Sequence, residues 1–198
     1  MAARKRRSLL VLLITLVAVA IATGRLYAEG DAVRLVFVLA PLFLLGSVLS
    51  GGMPAAHRRK GRHPVVSPVL TGLLLFLAFL VMGAVVRLVP AFDHAVEDVL
   101  AKADESSRLA VAVSAVVAGV AEEVFYRGAL FERLRLPIVT TTLAHALAVL
   151  PSGNVAMVGA ALVLGGVCGL SRRASGGWWT AAVVHSTWSL LVLAWLPR

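Results

Sequence analysis

The stretch Leu109-Ala-Val-Ala-Val-Ser-Ala-Val-Val-Ala-Gly-Val-Ala121, running on into Glu122-Glu123-Val124-Phe125-Tyr126-Arg127, decides how this chain is read. With the residues that follow, it reaches the ~20 residues a helix needs to cross the hydrocarbon core of a bilayer. An ionisable group inside such a helix costs roughly 2.5–3.5 kcal/mol to insert. Two adjacent carboxylates and an arginine in one span are therefore poorly explained by packing. They mark a polar site inside the membrane, whose partners can be sought in the rest of the chain.

The composition agrees. Of 198 residues, 60% are hydrophobic and 15% charged, with a mean hydropathy of +0.91. A soluble domain sits nearer ~45–50% apolar and ~25% charged. The fold class expected is all-α, a polytopic transmembrane bundle of about seven spans forming a single membrane-embedded domain over residues 1–198. The period-2 alternation of a membrane barrel is absent. A net charge of +9 would suggest nucleic acid in a soluble protein. Here the basic residues cluster in short segments between apolar runs, where they act as topology signals, and no nucleic-acid partner is expected.

Seven apolar segments are read, at roughly 8–23, 33–50, 66–89, 107–131, 137–151, 154–171 and 178–196. The N-terminal Arg4-Lys5-Arg6-Arg7 followed by an apolar run looks like a signal peptide. Without a clear small-residue cleavage site before Gly24, it reads as an uncleaved first span. Placing the N-terminus in the cytoplasm puts Arg4–Arg7, Arg58–Arg62, Arg133, Arg135, Arg172 and Arg173 inside. Twelve basic residues then lie inside and six outside (Arg25, Arg34, Arg87, Lys102, Arg108 and Arg198), as the positive-inside rule requires. The outer side also holds the acidic loop with Asp93, Glu97, Asp98, Asp104 and Glu105. Gly165 and Gly169 form a small-xxx-small pair for close helix packing. Cys168 has no partner in the chain and reads as a small core residue. His57, His63 and His94 fall in loops and read as solvated.

Two further ionisable residues lie within apolar segments, His145 in the fifth and His185 in the seventh. At ~1.5 Å per residue, Glu122 lies on the order of 13 Å from the cytoplasmic end, His145 about 12 Å and His185 about 10 Å. Three helices thus bring polar side chains to one level. Glu123 and Arg127 are i, i+4 neighbours and can pair. Glu122, rotated by about 100° from Glu123, shares its face with Ala115, Ala118, Gly119 and Ala129, which leave room for water or substrate. Ser189 follows His185 by one turn, and Thr141 and Thr142 share a face with His145.

A glutamate with a histidine can act as general base on water. A second histidine and a hydroxyl can donate to a developing oxyanion. The set Glu122, His145 and His185 equally suits zinc with an open position for water. Either way the chemistry is hydrolysis of an amide or ester, with no metal or with zinc. Each histidine taken alone would read as a satisfied core residue; their common depth argues for a site. The competing readings are a non-catalytic membrane scaffold or immunity-type protein on the same fold, and a proton-coupled carrier. The carrier predicts inverted repeats or broken helices, and neither is visible.

Glu122-Glu123-xxx-Arg127, then His145, then His185 with a polar residue four further on, resembles the CAAX prenyl protease and bacteriocin-processing (CPBP, or ABI) family of intramembrane proteases. The likeness covers roughly residues 107–196. The resemblance implies that Glu122 and His145 activate water, that His185 and Ser189 stabilise the oxyanion, and that Glu123 and Arg127 support them. Two positions depart from the family's motifs. Thr141 stands where a phenylalanine is expected, and Ser189, a shorter donor, stands where an asparagine is expected. The function expected is an endopeptidase acting on a membrane protein or a lipidated or hydrophobic peptide. It is placed as a multi-pass protein of a bacterial inner membrane with a cytoplasmic N-terminus.

Overall fold

A computed structural model describes residues 2–30, 32–51, 66–86, 88–104 and 108–195. His57 and His63 lie outside these. Every described element is helical: α1 (Ala2–Ala28), α2 (Ala32–Leu49), α3 (Val66–Val86), α4 (Pro90–Asp104), α5 (Arg108–Glu123), α6 (Pro137–Val149), α7 (Val155–Ser175) and α8 (Trp178–Trp195). All seven apolar segments become helices. Four helices are long and apolar enough to cross a membrane, over Arg6–Ala28, Pro68–Val85, Arg108–Arg133 and Val155–Ser175. This fits a multi-pass membrane protein, while a count of about seven spans is not established. The shorter apolar helices have local causes. α6 starts with Pro137 at its first turn, where a missing N–H costs nothing. It ends in a turn through Pro151 and Gly153, whose φ of 71° suits glycine.

The acidic loop expected between the third and fourth segments is instead the helix α4, and His94 lies on it, exposed to solvent. Pro90 and Asp93 occupy its first turn, where a negative charge complements the helix dipole. Phe92, Val96, Val99 and Ala103 follow at helical spacing. The many charges among them hid that stripe.

α5 is the centre of the bundle, packed against α2 on one side and α8 on the other, with α8 in turn on α3 and α7. The larger core joins Leu12 and Val19 of α1 to Ala40 and Phe43 of α2 and to Phe125 and Tyr126. The last three rings lie within 5.4 Å of one another, centroid to centroid. A second core joins Leu75, Leu164, Cys168, Ala181 and Val184. Cys168 is fully buried, as a small core residue should be. Outward faces carry large exposed apolar side chains such as Leu13, Val17, Phe37, Val81 and Leu170, which a lipid surrounding accommodates without cost.

The two ends of the bundle are fastened differently. At one end Ser8 and Arg133 both donate to the Ser50 carbonyl, and Arg172 pairs with Glu132. At the other, Asn154 caps α7 by accepting the Met157 N–H at 3.0 Å. Its amide also donates to Tyr27 Oη (3.0 Å) and to the Ala95 carbonyl (2.8 Å). Tyr27 donates to Asp98 at 2.6 Å. That network ties α4 down onto α1 and α7.

Candidate active site

α5 does not continue as an α-helix past the paired glutamates. Val124–Leu130 form a π-helix, every residue of it buried, followed by a 3-10 turn over Phe131–Arg133. The π-turn is a rare departure found most often at functional sites, and nothing in the hydrophobic pattern announced it. Its backbone carbonyls are held by basic side chains: Arg172 Nε donates to Arg127 O at 2.8 Å, and Arg133 donates to Ala129 O. Arg172, read from sequence as a topology signal, is thus a buried strut of the site.

The two glutamates point to different surroundings. Glu123 is fully buried with Arg127, whose Nη1 donates to Glu123 Oε1 at 3.0 Å. Arg127 Nη2 donates to the Gly165 carbonyl at 2.7 Å. A Cβ at Gly165 would stand 3.2 Å from that guanidinium and from Thr142, so the small residue serves both helix packing and the arginine. Gly169 similarly admits Ile138 of α6. Glu122 keeps 18% of its side chain exposed, and its Oε2 lies 3.1 Å from His145 Nε2.

His145 is stacked on Tyr126, ring centroids 4.9 Å apart. His185 approaches Glu123 Oε1 through Nδ1 at 3.2 Å, and its ring lies 6.5 Å from that of His145. Gly119 makes this approach possible, since a Cβ there would be 3.2 Å from the His185 ring. The residues placed at one depth by counting therefore meet in space, on α5, α6 and α8.

A cavity of about 360 Å³ opens beside them, lined by Glu122, His145 and His185 together with apolar side chains of α3, α4, α6, α7 and α8. Trp188 forms its wall next to His185. Ser189 is buried on the same helix but is not part of the cavity lining. Thr141 is buried and bonds back to the Pro137 carbonyl of its own helix at 2.7 Å. Neither departure from the family motifs thus puts a polar atom into the cavity wall.

Among the described residues, no three His, Cys, Asp or Glu side chains are grouped so as to hold a metal ion. The zinc set read from sequence is divided between two pairs, Glu122 with His145 and Glu123 with His185. The arrangement as it stands is two carboxylate–imidazole pairs, of which Glu122 and both imidazoles line the apolar cavity while Glu123 is buried behind His185.

Neither a curated protein nor a solved structure matches the chain. A family model does: residues 104–191, the part of the chain that holds both glutamates, Arg127 and both histidines, match Type II CAAX prenyl endopeptidase Rce1-like, which bears out the resemblance carried by those residues.

Proposed function

We propose that the protein is an intramembrane endopeptidase that hydrolyses a peptide bond of a membrane-associated protein or peptide. The observation that carries this reading is the 3.1 Å pairing of Glu122 with His145 at the floor of an apolar cavity. Glu122, partly exposed there, takes a proton from water as its oxygen attacks the scissile carbonyl carbon. His185 donates to the oxygen on which negative charge develops. The C–N bond then breaks, and the proton held by the Glu122–His145 pair passes to the leaving amine. Arg127 and Glu123 touch no reacting atom; they hold His185 in place. Ser189, one turn beyond His185, contributes less than the histidine does. The distribution of basic residues supports a cytoplasmic N-terminus, and the proposed location is a bacterial inner membrane.

The test is comparative proteomics of membrane peptides from cells carrying the wild type or Glu122→Gln. The amide preserves the shape of the side chain and removes its basicity. Peptides ending at a defined cleavage site are expected with the wild type and absent with the variant at equal abundance. Identical peptide sets would favour the non-catalytic scaffold or immunity-type reading.

A further inference from the structure

We infer that the substrate reaches Glu122 from the α4 end of the bundle, the exterior face of the membrane, so that the peptides cleaved are exported ones. This rests on the reading of Glu122 as the water-activating residue.

The cavity has a direction. Around Glu122, His145 and His185 the wall is closed by Phe79, Ala161, Leu164 and Trp188; the lining then extends to Val149 near the C-terminus of α6, Ala156, Met157 and Ala160 in the first turns of α7, and Val96 and Val99 of α4. These last six lie toward the end where Asn154, Tyr27 and Asp98 interlock. Toward the other end the way is filled. The π-helix residues Val124–Leu130 are all buried there. Arg172 reaches across them to Arg127 O and Glu132 and lies over the Phe131 ring at 5.3 Å.

The ends also differ in charge. Arg6, Arg7, Arg133, Arg135, Arg172 and Arg173 belong to the filled end; the α4 end holds Arg25, Arg34, Lys102 and Arg108, offset by Glu29 and by Asp93, Glu97, Asp98 and Asp104. Clustered arginine and lysine near span ends face the cytoplasm. The catalytic carboxylate can be nearer the cytoplasmic side, as counting along α5 gives, while the space that serves it opens outward.

The cavity also limits what enters. Its volume of about 360 Å³ falls at the small end of the roughly 300–1,000 Å³ typical of ligand pockets. Apart from Glu122 and the two histidines, its lining is apolar apart from the Trp188 indole N–H. It suits two or three small apolar side chains of an extended segment, passing under α4. The bond between Asn154 and the Ala95 carbonyl fixes α4 as the roof.

Single cysteines at Met157→Cys and Val99→Cys in the cavity, and at the exposed Arg135→Cys of the basic end, are treated with a membrane-impermeant maleimide. Both spheroplasts and inverted vesicles are used. Wild type, with Cys168 fully buried, is the blank. The expected result is at least ten-fold faster labelling of both cavity cysteines in spheroplasts, and the reverse for Arg135→Cys. Labelling of the cavity cysteines from the same side as Arg135→Cys, or of Arg135→Cys from the spheroplast exterior, overturns the inference. The same preparations then receive internally quenched peptides with Ala, Val and Leu at their centre and sulfonated fluorophores at their ends. Cleavage that Glu122→Gln abolishes is expected at least ten-fold faster with spheroplasts. Faster cleavage by inverted vesicles overturns the inference. With the expected labelling, absence of Glu122-dependent cleavage on both sides counts against the protease reading and leaves the outward path standing.

Discussion

Glu123 holds His185 across the α5–α8 contact, Oε1 to Nδ1 at 3.2 Å, with the same oxygen accepting from Arg127 at 3.0 Å. A histidine's second nitrogen is set by what the first one bonds. A buried carboxylate on Nδ1 therefore fixes both the ring's orientation and its tautomer.

This separates stability from catalysis. Arg127→Met alone strands a fully buried carboxylate, and breaking such a pair costs about 3–5 kcal/mol. Abundance and activity should both fall. In the double variant Glu123→Gln/Arg127→Met no charge is stranded, and abundance should recover toward wild type. Activity should stay low, because His185 no longer faces a carboxylate. Immunoblotting of membranes beside a turnover assay reads both quantities; recovery of activity along with abundance would refute the positioning role.

Gly119→Ala should damage turnover more than folding. Its Cβ would meet the His185 ring at 3.2 Å, tight enough to push the imidazole by a few tenths of an ångström. Misplacement by about 1 Å can cost 10²-fold in rate, so a loss on the order of ten-fold in kcat is expected with abundance unchanged. Substrate affinity, read as KM, should move little.

Arg172 and Arg173 are adjacent in sequence and should behave differently. Arg172→Ala removes the donor to Arg127 O and the pairing with Glu132, and a hydrogen bond from a charged group contributes about 1.5–3 kcal/mol. A lowered unfolding midpoint in detergent is expected. Arg173 is exposed, and Arg173→Ala should leave that midpoint unchanged. Equal effects would mean that both act only through membrane topology.

Ser189→Ala should cost less than ten-fold in turnover, because the cavity wall beside His185 is Trp188. His185→Ala should lose on the order of 10²–10³, the worth of a positioned oxyanion donor. Both are measured at saturating substrate. Comparable losses would move Ser189 into the reacting centre.

Much of the site was legible because the membrane makes polar residues conspicuous. Glu122, His145 and His185 stand out against apolar neighbours, and counting along three helices was enough to bring them to one level. The i, i+4 pairing of Glu123 with Arg127 was legible for the same reason. Other features left weaker traces. The π-helix keeps an apolar composition and so looks like more α-helix. α4 hides its stripe of Phe92, Val96 and Val99 among charges, and a charged segment between spans reads as loop. Arg172 sits where topology already explains an arginine, so its bond to Arg127 O had no separate signal. The link from His185 to Glu123 joins residues 62 apart in sequence, and no local spacing encodes it.

The wide turn at Val124–Leu130 makes the number of residues here matter as much as the identity of Arg127 within it. Each residue added to or removed from a regular helix turns everything beyond it by about 100°. Removing one residue from this stretch would let it relax into ordinary α-geometry. Glu122 would then swing off the line joining it to His145, while Arg133 and Arg172 stayed anchored at the far end. Homologous proteins should accordingly keep Arg127 and the length of the interval between Glu123 and Phe131, and vary its apolar side chains more readily than either.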